Sequence, residues 1–408
     1  MLMQTTTTRC SWCLVCLVFA AAVCDSGNSP VRADDGSIAA WGAGGLGQSG
    51  SPHYGQSIIP APNTGFIAVA GGWDHTLGLK ADGSIVAWGL NNHGQTDVPA
   101  PNDHFIDISG GAEFSLGLKD NGSIVAWGNN DFGQTSVPAG TFTAVAAGGN
   151  HGLGLKTDGS IVAWGNNDDD QCNIPEPNSG FVAVAAHSSH SLGLKADGTI
   201  VGWGNNDWGQ ISVPAPNTGF VAVAAGRHHS VGLKGDGSIV AWGENGSGQT
   251  TVPTPNTGCV AVAAGWAHNL CLKADGSIVT WGGNAYGQTN VPAPNTGFVA
   301  VAAGEVHSLG LKGSGACCLT DGTCFQLASQ SLCNAQSGVF HGLGSSCGGD
   351  LDGDSIADTC DQCPYDPTNT KTPEGQCIPT VSDWGLAILV LCCTIAGTII
   401  IQRREALG

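Results

Sequence analysis

The sequence predicts an all-β fold, a seven-bladed β-propeller closed by pairing its first strand with its last. Three observations predict it. A phrase close to Asp-Gly-Ser-Ile-Val-Ala-Trp-Gly returns seven times, with Trp41, Trp88, Trp127, Trp164, Trp203, Trp242 and Trp281 at gaps of 47, 39, 37, 39, 39 and 39 residues. A second phrase, close to His-Ser-Leu-Gly-Leu-Lys, also returns seven times, ending at Lys80, Lys119, Lys156, Lys195, Lys234, Lys273 and Lys312. The repeats open on a lone Trp-Gly phrase, Ser37 to Trp41, and stop at Lys312 with no Trp-Gly phrase after it. The two incomplete pieces make one whole unit, which leaves no sheet edge open. An open β-solenoid is the competing architecture, and the complementary ends argue against it.

One unit, Phe220 to Pro253, shows why each element forms. Phe-Val-Ala-Val-Ala-Ala-Gly is rich in β-branched residues and reads as a first strand. Arg227-His228 is a short connection to a second strand, His229 to Lys234. Gly235-Asp236-Gly237 marks a tight hairpin, because Asp-Gly tolerates the positive φ such turns need. Ser238-Ile-Val-Ala-Trp-Gly is a third strand, and Gln249-Thr-Thr-Val-Pro253 is a candidate short outer strand. Thr-Pro-Asn-Thr-Gly then blocks continuation and leads to the next unit.

The bulk numbers exclude some functions. Gly makes up 64 of 408 residues and charged residues 11 %, a turn-rich β composition. Net charge is −19, and seven of the eight lysines are the repeat lysines, so no basic patch is left for nucleic acid. No nucleophile elbow, phosphate loop or His-Glu-x-x-His run is found, and Asp168-Asp169-Asp170 reads as a solvated loop.

The two ends predict export. Residues 1–33 read as a signal peptide: Arg9, an apolar run from Cys10 to Val23, and small residues at Val31-Arg32-Ala33. The alternatives are an uncleaved anchor or a weak lipoprotein site ending at Cys24. At the other end, Trp384 to Ile401 is an uncharged run of 18 residues followed by Arg403 and Arg404, a transmembrane helix candidate with its basic end inside.

His-Ser-Leu-Gly-Leu-Lys, Asp-Gly-Ser-Ile-Val-Ala-Trp-Gly and Asn-Asn-Asp-Trp-Gly-Gln resemble repeats of the regulator of chromosome condensation family. The resemblance covers residues 34–313 and implies a seven-bladed propeller. The short period is more similar to a bacterial secreted branch that includes beta-lactamase inhibitory protein II. It implies a fold and hardly a function.

Six units place a histidine in one slot, His75, His151, His190, His229, His268 and His307, and Phe114 replaces it once. Six sites spread round a ring cannot share one metal, and the Phe points to packing. Function is expected where the units differ. One variable connection precedes the histidine: Trp73-Asp74, Glu113, Gly149-Asn150, Ser188-Ser189, Arg227-His228, Trp266-Ala267 and Glu305-Val306. The other follows Trp-Gly and holds His93, Phe132, Asp168-Asp169-Asp170, Trp208, Ser247 and Tyr286. In an antiparallel meander both lie at the same end, opposite the uniform hairpins. The partner-binding candidates are therefore Trp73, Asp74, His93, Glu113, Phe132, Trp208, Arg227, His228, Trp266, Tyr286 and Glu305. Drift of free solvent loops is the plain alternative. An eight-residue insertion, Ser49 to Gln56 with His53 and Tyr54, is expected to project from the same face.

Of the propeller cysteines Cys172, Cys259 and Cys271, the last two stand where other units have Phe and Gly, on neighbouring strands of one unit, and are candidates for a disulfide. The alternative is two separate buried thiols. A cysteine-rich module, 314–349, and an Asp-rich segment, 350–377, follow as a stalk. Together they hold Cys317, Cys318, Cys324, Cys333, Cys347, Cys360, Cys363 and Cys377, read as disulfides of open connectivity, with zinc at Cys360-Asp-Gln-Cys363 as the lesser reading. Asp350, Asp352, Asp354, Asp358 and Asp361, with the main-chain carbonyl of Ile356, have the spacing of an oxygen cage for Ca2+. Ser355 stands where an EF-hand has Gly, and with Cys360 and Cys363-Pro364 the segment is more similar to thrombospondin type 3 calcium repeats. An acidic linker is the alternative. Residues 378–408, from Ile378-Pro-Thr-Val381, resemble the IPTL class of C-terminal sorting signals, with Val381 where Leu is usual; that class implies a membrane processing enzyme, against a permanent anchor.

The reading is an exported cell-envelope binding protein, not an enzyme, that recognises a protein or glycan through its variable loops and reaches the membrane by its C-terminal helix. An inhibitor of an extracellular or envelope enzyme is the first alternative, and an enzyme with an axial pocket the second.

Overall fold

The computed structural model describes residues 36–313 and, beyond them, the backbone of three short strands, Gly315–Cys318, Cys324–Leu327 and Val339–Leu343. These three form one small antiparallel sheet. The expected signal peptide 1–33, Cys333, Cys347, Cys360, Cys363, Cys377, the Asp350 to Asp361 segment and the apolar run 384–401 lie outside the described residues.

Residues 36–313 build seven three-stranded antiparallel sheets, with no helix among the described residues. The arrangement is of the β-propeller type. In the fifth sheet, Phe220–Ala225, His229–Lys234 and Ile239–Gly243 lie side by side in that order. The seventh is assembled from both ends of the repeat region: Phe298–Ala303, His307–Lys312 and Ser37–Gly42. Ser37 faces Lys312 and Gly42 faces His307, the register that sets Gly243 opposite His229 in the fifth sheet.

The core lies between sheets. Ala183, Leu192, Leu194 and Ile200 of the fourth pack against Phe220, Ala225 and Trp242 of the fifth. Ile38, Leu309 and Leu311 of the seventh pack in the same way against Phe66 and Trp88 of the first. Each three-stranded sheet alone exposes two apolar faces, so only a neighbour on either side buries them. Within a sheet the first-strand Phe lies over the second-strand Gly. A Cβ on Gly232 would stand 2.4 Å from the Phe220 ring, so glycine there is space for the ring. In the sixth sheet Cys259 and Cys271 take these two slots and are joined as a disulfide, Cα to Cα 5.7 Å. Cys172 is a free thiol whose Sγ lies 3.2 Å from the Asn166 carbonyl oxygen.

The candidate outer strand Gln249 to Pro253 does not form. Two observations explain its absence. Gln249 is drawn into the core, where its carbonyl accepts from Trp281 Nε1 at 3.0 Å and from Asn269 Nδ2 at 2.8 Å. The outer edge of the third strand is met by a single side chain instead. Asn256 Oδ1 accepts from the Ile239 N–H and its Nδ2 donates to the Ile239 carbonyl, both at 2.8 Å. Asn63, Asn102, Asn178, Asn217 and Asn295 do the same for Ile38, Ile85, Ile161, Ile200 and Ile278. One amide supplies the two bonds that a fourth strand would supply there.

The insertion is also placed differently from the expectation. Gln56, not Gln48, fills the buried slot of Gln95 and Gln134, with its carbonyl 2.9 Å from Trp88 Nε1 and from Thr76 Oγ1. Gln48 is exposed. Both glutamines follow a Gly, so the pattern fits either; burial selects the second. The extra residues lie ahead of Tyr54-Gly55-Gln56, which is the regular turn. His53 is folded back, its Nδ1 accepting from the Gly44 N–H at 3.0 Å.

Candidate binding face

The recurrent histidines are tied into the frame. His190 Nε2 lies 3.1 Å from Ser230 Oγ of the next sheet, and Ser230 Oγ donates to the Gln210 carbonyl at 2.7 Å. The hydroxyl proton is thus spent on the carbonyl, so the imidazole carries its proton on Nε2 and donates. His75, His151 and His268 repeat this with Ser115, Ser191 and Ser308, His307 with Thr76, and His229 with Asn269. The Nδ1 atoms are buried without a partner. Burial therefore pushes the imidazoles down, to about 4 at His75, His151 and His229 and to about 3 at His268 and His307. They are neutral at pH 7. The seven tryptophans are bound in the same way, each indole N–H donating to the carbonyl of a buried Gln in the preceding unit; Trp242 to Gln210 is 2.8 Å.

The two variable connections meet. His93 Nε2 lies 3.1 Å from Glu113 Oε2, and the Trp208 ring packs on His228 with centroids 6.1 Å apart. Asp74 Oδ1 is 3.4 Å from Gln56 Nε2, and the His53 ring stands edge-on to Tyr286 at 5.9 Å. A single slot, two residues before each buried Gln, holds Tyr54, His93, Phe132, Asp169, Trp208, Ser247 and Tyr286. Each backbone N–H there is bonded to the Gln side-chain oxygen, 2.9 Å at Trp208 and Phe132 and 2.8 Å at Tyr54. This bond fixes the turn and leaves the slot's side chain free. Trp208 is 54 % exposed, Phe132 49 %, Trp266 38 % and Tyr54 37 %. Tyr54, expected on a projecting insertion, stands with these aromatics in the regular turn.

The connections before the histidines are bonded to one another. Trp73 N–H donates to the Gly111 carbonyl at 3.0 Å, Ala112 to Gly149 at 3.0 Å, Gly149 to Ser188 at 2.9 Å, Arg227 to Gly265 at 3.2 Å, Trp266 to Glu305 at 2.9 Å, and Glu305 to Trp73 at 3.3 Å. Arg227 reaches past Trp266 to Glu305, Nη1 to Oε1 3.0 Å, with its guanidinium 4.9 Å from the Trp266 ring centre and 5.8 Å from that of Trp73. Burial raises Glu305 to about 7, with the Asp74 charge adding to the rise and Arg227 opposing it. Burial, and then the charge of Glu113, raises Asp74 to about 6.

The step between the fourth and fifth sheets is different. Among the described residues no backbone bond joins their connections, and Ser188 sits at φ 41°. His187 occupies a slot that is Gly226 in the next unit, where a Cβ would stand 2.2 Å from the following histidine ring. A notch of about 70 Å³ opens here between Ser188, Ser189, Asp207, Trp208, Arg227 and His228. Asp168-Asp169-Asp170 lies on the same side, Asp169 Oδ1 accepting from Asn205 Nδ2 at 3.2 Å. Among the described residues no cluster of acidic, histidine or cysteine ligands is placed to hold a metal.

The sequence profile described as the regulator of chromosome condensation (RCC1) repeat matches residues 66–95, 105–134, 142–171, 181–210, 220–249 and 259–288. Six RCC1 repeats therefore lie between residues 66 and 288. Each match runs from the first residue of a sheet to the buried Gln, so the RCC1 pattern covers the frame and ends where the turn is fixed. No curated protein matches the chain in sequence. Among solved structures it is similar to Prp20p from Saccharomyces cerevisiae, at 17 % identity and TM-score 0.60, covering 78 % of this chain and 95 % of that one. Human WBSCR16 gives 20 % identity and TM-score 0.54, covering 69 % and 99 %. The ectodomain of the Physcomitrella patens receptor kinase CR4 gives 26 % identity and TM-score 0.50, covering 58 % and 68 %. The first two likenesses concern the fold alone.

Proposed function

We propose that this RCC1-repeat chain is an exported, non-catalytic recognition protein. Its seven sheets are the blades of a closed ring, and the loop face takes a protein or glycan partner. The observation that carries the reading is the set of large rings held out to solvent on one side of a frame that buries every other recurrent aromatic. Isolated surface rings need no explanation; exposed rings that all fall in the two variable sets of loops do. Prp20p, which shares the fold, is crystallised bound to Kap60. Against an axial active site stands the packing of Trp73, Trp266, Arg227 and Glu305 on one another. Inhibition of an envelope hydrolase is the same face with an enzyme as its partner. The test is capture of a partner on the full-length chain and on Phe132→Ala/Trp208→Ala/Trp266→Ala. We expect capture to fall more than tenfold in the variant with the fold unchanged; undiminished capture overturns the reading.

Export draws support from the two apolar ends, from the Cys259–Cys271 disulfide and from the likeness to a receptor ectodomain. The cysteine-rich stalk with Ca2+ at Asp350 to Asp361, and the membrane segment 378–408 with its sorting enzyme, complete the proposal. Calorimetry of the full chain with Ca2+ is expected to show binding that Asp352→Ala weakens; absence of heat removes the calcium site.

A further inference from the structure

We infer that the partner of the loop face is a cationic polypeptide, a segment rich in Lys or Arg. The inference rests on the reading above that this face binds, and adds the chemistry. The connections after the third strands carry Asp131, Asp168, Asp169, Asp170, Asp207 and Glu244. Those before the histidines add Asp74, Glu113 and Glu305. Against these stands one cation, Arg227, already paired with Glu305.

The opposite face has a different balance. The seven repeat lysines end the second strands there, Asp82, Asp120, Asp158, Asp197, Asp236 and Asp275 follow in the hairpins, and Asp103 and Glu176 lie in the linkers that Lys119 and Lys195 reach. These lysines are used by the frame: Lys80 and Lys234 lie 3.7 and 3.6 Å over Phe66 and Phe220, and both donate to carbonyls of the preceding Pro-Asn-Thr linkers. Carboxylates and lysines nearly balance on that face, so the acidic excess lies mainly on the side that also carries the exposed rings.

In two turns a carboxylate stands directly beside an exposed ring. Asp131 precedes Phe132 and Asp207 precedes Trp208, and all four side chains are exposed. A long basic side chain lays its methylene stem on a ring and brings its charged head to the neighbouring carboxylate. The face already holds one cation in this manner, Arg227 between the rings of Trp73 and Trp266 with its head on Glu305. A neutral glycan would use the rings and leave the charge without a role. The field of the same charges speeds encounter with a basic partner and repels an acidic one.

The test is calorimetry on the full-length chain at about 50 and about 300 mM salt, the range over which screening shortens to a few ångströms. Three probes are used: a lysine-rich peptide carrying two phenylalanines, the same peptide with each lysine replaced by glutamate, and a chitin hexasaccharide. We expect the lysine peptide alone to bind, more than tenfold more weakly at the higher salt. Its binding should fall at least tenfold in Asp131→Asn/Asp207→Asn/Glu244→Gln and again in Phe132→Ala/Trp208→Ala. No binding of the lysine peptide overturns the inference. So does undiminished binding to the charge variant, which would put the site elsewhere on this acidic chain. Binding of the hexasaccharide that only the ring variant loses overturns the cationic partner while leaving the face as a binding surface.

Discussion

At six junctions between sheets a buried histidine bonds a side chain of the next sheet; between the second and third sheets Phe114 and Gly152 stand in those two slots instead. Both members of the pair have changed together. Without a hydroxyl at 152, Trp164 leans into the freed space, and a Cβ there would stand 2.4 Å from its ring. The lesson is that the histidine is a structural donor that can be dispensed with when its acceptor leaves too. The loop face shows the opposite behaviour. Its slot accepts Tyr, His, Phe, Asp, Trp or Ser with no matching change, because the Gln bond holds the turn whatever side chain it carries.

The broadest way to break the comparison is acid. A histidine held below its unfolded value contributes stability that is whole above about pH 6.5 and is lost as pH falls toward the folded value. Between pH 6.5 and 5 His75, His151, His229, His268 and His307 each give up about 2 kcal/mol, and His190, pushed down by burial, acts in the same direction. Asp74, Asp107 and Glu305, raised chiefly by burial to about 6, 7 and 7, act the other way and favour the folded state as pH falls. Three carboxylates do not offset six histidines. Urea midpoints are expected to drop steadily from pH 7 to pH 5; a flat or rising series would mean that the Nδ1 atoms are hydrated and the junctions less dry than they look.

A single junction sharpens the point. His190→Phe leaves Ser230 without its donor and adds bulk against a hydroxyl, and should cost about 3 kcal/mol. His190→Phe with Ser230→Gly recreates the Phe114–Gly152 pair and should recover about half of that loss. A double variant no more stable than the sum of its parts would make the paired change at the second junction an accident.

Much of the frame could be read from the chain. The Trp-Gly and Leu-Lys phrases mark the strands, and their phase predicts the pairing of Ser37–Gly42 with His307–Lys312 that the structure contains. The Cys259 and Cys271 departures point to each other because Phe and Gly in those slots already touch. Other features were written plainly but not read. Phe114 and Gly152 depart from the pattern a unit apart, and only the His–Ser bonds of the other units show that these two slots meet. Asn256 and its counterparts replace a strand with one side chain, which no periodicity reports. Gln48 and Gln56 match the turn equally, and their difference is burial. The notch beside Trp208 depends on the φ of Ser188 and on a missing backbone bond, neither of which has a sequence signature.

The smallest effect bears on the face itself. Phe132 and Trp208 are about half exposed and belong to none of the buried clusters between sheets; Trp208 packs its ring on His228 at the edge of the notch. Alanine at either site removes modest buried area, so the stability change should stay within about 0.5 kcal/mol. The same substitution at Trp242, whose indole is buried and donates to Gln210, should cost about 4 kcal/mol. Denaturation midpoints of Trp208→Ala and Trp242→Ala, compared directly, measure how far apart the two kinds of tryptophan are. Equal losses would place Trp208 in the frame and take away the reason for assigning it to a partner.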